Sequence, residues 1–162
     1  MHRTGILLLS AVLAAGPVAA SEETDVMAVV HQWIDGFNKG DAKAADAACA
    51  HHGAIIDILP PHVWHGSGMC AQWWKDFNAY IAQNGITEPH AAPGKARHVD
   101  IDGTQAYLIL PVTLTYKDHG KPTKETGSYA IMTFAKGNSG WRMTSWAWAS
   151  GVTAAVNAKS GH

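Results

Sequence analysis

The chain has 162 residues, with 12 Lys and Arg against 13 Asp and Glu and a formal net charge of −1. That balance excludes the strongly basic surface that binding to nucleic acid or an anionic membrane requires. Charged residues are only 15% and apolar ones 47%, which excludes a disordered chain. The seven tryptophans call for a large aromatic core or an aromatic-lined pocket.

His2 and Arg3 give a basic start, and residues 6–15 are apolar apart from Ser10. Pro17-Val18-Ala19-Ala20 then supplies small residues before Ser21. This three-part pattern predicts a secretory signal peptide over residues 1–20, cut after Ala20. The apolar run is too short to cross a bilayer core, which takes roughly 20 residues. The expectation is one periplasmic or secreted domain over residues 21–162, with no membrane attachment once the leader is gone.

Within that domain, Val26, Val29, Val30, Trp33, Ile34 and Phe37 recur at spacings of three and four. They predict an amphipathic helix over 24–38, capped by Thr24 or Asp25 and stopped at Gly40. Asp41 can cap a short alanine-rich helix running to about residue 50. Residues 54–59 are β-branched and end at Pro60-Pro61, which predicts a strand. Ser67 or Gly68 opens a third helix, buried through Met69, Trp73, Phe77, Tyr80 and Ile81 and ended by Asn84-Gly85. A loop follows over 89–94.

The period then changes to two. Strands are predicted over 96–101, 105–116, 124–136 and 141–150, with a hairpin at Asp102-Gly103 and Pro111 at a bulge or edge. The tail from Gly151 is small and polar and reads as frayed. Cys49 and Cys70 could pair in an oxidising compartment and close a loop of about 20 residues; two separate buried thiols are the alternative. The fold class is α+β: a curved antiparallel sheet wrapped around helices as a cone, with a cavity at one end suited to a small ligand.

Phe37-Asn38-Lys39-Gly40-Asp41 at the end of the first helix, Ile56-Asp57 in the first strand, Trp64-His65-Gly66 before the third helix and Gly140-Trp141-Arg142 at the final strand stand in a particular order. In that order the chain resembles the nuclear transport factor 2-like superfamily, and within it the SnoaL-like and ketosteroid-isomerase-like branch. The resemblance implies a cystatin-like α+β barrel, often dimeric through its sheet. It also implies an aspartate that moves a proton next to a carbonyl, at or within one residue of Asp57. The branch's tyrosine oxyanion donor falls on Trp33, and its protonated aspartate falls nearest Ala130. Neither replacement restores the usual donor pair, so steroid isomerisation is not expected.

Read from the residues alone, Asp57 in an apolar strand is costly to bury unless it is paired or used; the other reading is a strand-end carboxylate facing water. His62 and His65 follow closely, and His65 could replace the missing acid or form a dyad with Asp57, as in dehydratases of this fold. Otherwise both lie in a solvated loop. His51, His52, His62 and His65 with Asp57 raise a zinc question, but no pair has the i, i+4 helical spacing, so neither a metal nor another cofactor is expected. Trp33, His62, Trp64, Trp73 and Tyr80 are the candidate ligand-binding residues. The expected function is an exported protein that binds a small hydrophobic molecule in a conical pocket, with Asp57 as base and His65 assisting. A non-catalytic binding module and a homodimeric interaction domain are the other readings.

Overall fold

The structure, a computed structural model, describes residues 17–156 and the side chains from residue 21 onward. The leader expected over 1–20 lies outside those side chains. The elements, in chain order, are α1 (Pro17–Lys39), α2 (Ala42–Asp46), β1 (Cys49–Ile56), β2 (Val63–Ser67), α3 (Met69–Gln83), β3 (Ile86–Pro93), β4 (His98–Asp102), β5 (Gln105–Asp118), β6 (Lys121–Gly137), β7 (Gly140–Ala149) and β8 (Val152–Ala155). No described helix is long and apolar enough to cross a membrane.

The expected amphipathic face of α1 is the one that is buried, through Val26, Val29, Val30, Trp33, Ile34 and Phe37. Its side packs against Met69, Cys70, Trp73 and Trp74 of α3 and the inner face of the sheet, forming one apolar cluster. Glu22 pins the start of α1 by accepting from the Trp141 indole at 2.7 Å and pairing with Lys136. Asp41 caps α2 by accepting from the Ala44 N–H at 3.0 Å.

The sheet runs β2-β1-β7-β6-β5-β3, with β4 also on β5 and β8 also on β6. It is mixed and curved rather than closed. The expectation of a wholly antiparallel sheet is corrected at one junction, where β1 runs parallel to β7. Gly53 makes that junction possible: a Cβ there would stand 1.8 Å from the Thr144 carbonyl oxygen and 2.6 Å from the Met69 side chain. Three strands are absent from the prediction: β2, β3 and β8. β2 pairs with β1, and β8, expected to be a frayed tail, pairs with Thr123–Thr126 of β6. The segment expected as a loop over 89–94 belongs to β3, an edge strand whose pairing shifts between Thr87 and His90 and so accommodates Pro89.

Bulges set which residues look inward. The β5–β6 register shifts between Val112 and Leu114, and Gly127 there has φ +77°. Thr123 and Glu125 are buried before the shift, and Ser128, Ala130, Met132 and Phe134 after it. A second shift, between Thr133 and Phe134 against β7, turns both Trp146 and Trp148 toward the helices. On the outer face Val63, Ile56, Ala147, Ile131 and Ile109 stand opposite one another in a row across five strands. Ile56 is 54% exposed and Val63 49%. A disulfide joins Cys49, at the start of β1, to Cys70, in the first turn of α3, which decides between the two readings of the cysteines.

Candidate functional site

One end of the cone holds a cavity of about 100 Å³ between α1, α3 and the inner sheet face. Trp33 and Phe37 reach it from α1, Trp73 and Phe77 from α3, and Trp146 and Trp148 from β7. The rings contact one another: Trp33 lies 5.3 Å from Trp146, and Trp73 meets Trp146 edge-to-face at 5.0 Å. Among the described residues, Trp146 Nε1 is buried without a hydrogen-bond partner. Two carboxylates interrupt this apolar wall, Asp57 and Glu125.

Asp57 follows the last residue of β1, where the chain turns toward Pro60-Pro61. Its backbone N–H still donates to the His62 carbonyl at 3.0 Å. The side chain turns inward, and Trp73 Nε1 donates to its Oδ2 at 2.8 Å. Burial pushes the carboxyl above the usual aspartate range. The donated hydrogen bonds from Trp73 and from the backbone of Ile58 and Leu59 pull the other way, and the charge of Glu125 adds a further upward push. The group is therefore a better proton acceptor than a free aspartate, and one of its oxygens is fixed in orientation. Removing the indole donor exposes this balance: Trp73→Phe is expected to shift the Asp57 titration to higher pH, followed by the carboxyl 13C resonance. No shift, or a downward one, would show that Trp73 is only packing.

Glu125 was not singled out by the sequence. It is 5% exposed, and its Oε1 accepts from Ser128 Oγ at 2.7 Å, the Gly151 N–H at 3.1 Å and Trp148 Nε1 at 3.2 Å. No hydrogen bond reaches its Oε2 among the described residues. Its neighbours Lys124 and Thr126 are exposed, so it reads in the sequence as one more charge on a polar strand end.

The other candidates separate. Trp33 and Trp73 line the cavity; Trp64, Tyr80, His62 and His65 do not. Trp64 is buried in the core and donates to Asp76 Oδ2 at 2.8 Å. Tyr80 is half-buried further along α3. His65 lies exposed on β2 opposite Ala54, because Trp64 takes the inward position and a single step along a strand reverses the face. His62 is also exposed, with Nδ1 3.2 Å from the Asp57 carbonyl oxygen rather than its carboxylate. The expected Asp57–His65 dyad is thus not formed. His51 and His52 are exposed on β1, each with a ring nitrogen 3.4 Å from Ser67 Oγ.

No family model matches the chain, and no curated protein matches it. Solved structures do. A nuclear transport factor 2-like superfamily protein from Salmonella enterica matches with a TM-score of 0.70 at 13% identity, covering 90% of this chain and 100% of that one. The chain has the nuclear transport factor 2-like fold. A protein of the same description with a cystatin-like fold, from Novosphingobium aromaticivorans, gives a TM-score of 0.64 at 16% identity over 82% and 83% of the two chains. A ketosteroid isomerase-like protein from Erwinia carotovora gives 0.63 at 14% identity over 80% and 95%. The nuclear transport factor 2-like fold serves many chemistries, so function has to be argued from the cavity. There Trp33 and Ala130, the positions on which the resemblance places the two oxyanion donors of the isomerase-like branch, both line the wall. Ala130 offers no side-chain donor.

Proposed function

We propose that the protein is exported, takes a small ring-shaped apolar molecule into the cone, and moves a proton at it through Asp57. One observation carries this reading: a carboxylate stands in the wall of an aromatic cavity, held by a tryptophan N–H and made more basic by its burial. The size of the cavity narrows the guest. An apolar cavity of about 150 Å³ takes up benzene, so the enclosed part here, about 100 Å³, holds at most one small ring. In a transfer of this kind Asp57 takes a proton from the carbon beside a carbonyl and returns it at the same or a neighbouring atom.

The test is exchange of the α-protons of cyclohexanone and cyclopentanone in D2O, followed by proton NMR with the wild type and with Asp57→Asn. Exchange above buffer that disappears in the variant supports the reading. No exchange by the wild type, or equal exchange by the variant, overturns it. The Cys49–Cys70 disulfide supports an oxidising compartment. The apolar row on the outer sheet face supports pairing of two copies through it. Ile56→Lys is then expected to turn a dimer into a monomer in sedimentation equilibrium; a wild type that sediments as a monomer removes this part.

A further inference from the structure

We propose that the cone also admits, and prefers, a compact apolar ring that carries positive charge, a small organic cation such as a protonated or quaternary amine, held between the indole rings and the two wall carboxylates. Only the cone's being a ligand site is carried over from the proposed function; whether Asp57 acts as a base is a separate matter.

Three features of the cavity converge on positive charge. The wall is rich in aromatic rings: Trp33, Trp73, Trp146 and Trp148, with Phe37 and Phe77. The face of an aromatic ring is its electronegative side, and indole attracts cations most strongly of the three ring types. Aromatic residues grouped around a compact volume are the side chains that recognise quaternary and tertiary ammonium groups.

The second feature is the charge of the wall. Asp57 and Glu125 both line the cavity, and no Lys, Arg or His does. Among the described residues, no salt bridge reaches either carboxylate. A buried carboxylate is normally compensated by a paired cation, and two on one cavity repel each other unless something positive lies between or beside them. Burial and the charge of Glu125 both push the Asp57 carboxyl upward, as this imbalance requires.

The third feature is the unused acceptor. All the hydrogen bonds to Glu125 meet at Oε1, so the carboxylate is anchored by one oxygen while the other accepts nothing among the described residues. The residue is 5% exposed, so its contact with bulk water is small. An ammonium N–H would complete Oε2 as a charge-assisted hydrogen bond, and a quaternary ammonium would meet the same oxygen by charge alone.

A neutral ring of the same shape would fill the same space and gain the same burial. The amine gains the attraction of the indole faces and the carboxylates in addition. The difference between two isosteric probes therefore isolates the charge. Cyclohexylamine, protonated near neutral pH, and cyclohexanol are such a pair. Binding is read by isothermal titration calorimetry and by tryptophan fluorescence on the full chain.

The amine is expected to bind at least tenfold tighter than the alcohol. In Glu125→Gln this preference is expected to fall toward one, and Asp57→Asn supplies the same readout if the first variant does not fold. Equal binding of the two probes by the wild type, tighter binding of the alcohol, or binding of neither overturns the proposal. So does a preference for the amine that persists undiminished in both variants. Ketone exchange through Asp57 would survive those outcomes, and an amine preference would survive the absence of ketone exchange.

Discussion

Replacing Asp57 by asparagine is expected to lower α-proton exchange on a bound cyclic ketone by about 100-fold or more, the scale on which a positioned general base acts. Asparagine keeps the shape and can still accept the Trp73 N–H, so the loss would be one of proton affinity and not of geometry. Stability should move the other way. In the folded chain the Asp57 carboxyl titrates above its ordinary value near 3.8 because it is buried, so the native state holds the proton more tightly than the unfolded one. The stability this group contributes is fully present below that ordinary value and is lost as pH rises through the folded one. At neutral pH the ionised carboxylate is therefore a burden that asparagine lacks. Asp57→Asn should match or exceed the wild type in urea denaturation at neutral pH, with the advantage shrinking as the solution is acidified. A variant less stable than the wild type at neutral pH would mean that Asp57 serves the fold rather than the cavity.

Removing the disulfide as a pair, Cys49→Ala with Cys70→Ala, is expected to lower stability by about 3 kcal/mol. The two residues lie 21 apart in sequence, and the open chain recovers the freedom that the bridge denies it. The bridge also ties the first strand to the first turn of α3, the helix that carries Trp73. Loosening it should therefore weaken ligand binding as well as the fold. The measurement is the urea midpoint with and without a reducing agent, set beside that of the double variant. If the reduced wild type and the double variant both unfold where the oxidised protein does, the bridge contributes nothing.

The architecture was legible where local periodicity carries it. The α1 stripe from Val26 to Phe37 and the long alternations of β5 and β6 stand out in the sequence, because one buried face repeats over many residues. What was missed has specific causes. β2 is a five-residue strand, Val-Trp-His-Gly-Ser, directly after prolines, too short to show a period. β3 carries Pro89 and small residues that resemble a loop, yet an edge strand tolerates both. The parallel pairing of β1 with β7 joins the two ends of the domain, and no local pattern announces it.

The site was legible in its first residue and not in its second. Asp57 drew attention as a charge within an apolar run. Glu125 did not, because Lys124 and Thr126 flank it and the bulge at Gly127 alone brings it onto the same face as Ser128. His65 was the converse error: its position beside Asp57 in sequence suggested a partnership that the alternation of β2 denies.

The short pairing of Val152–Ala155 with β6 matters beyond its length. Directly before it, the Gly151 N–H donates to Glu125, so the segment after β7 latches the most buried acid among the described residues. Trimming the polypeptide at residue 150 would remove that latch together with its strand. Ser128 and Trp148 would still hold the carboxylate, with two donors where it had three, so a deletion outside the cavity would loosen one of its walls without releasing it.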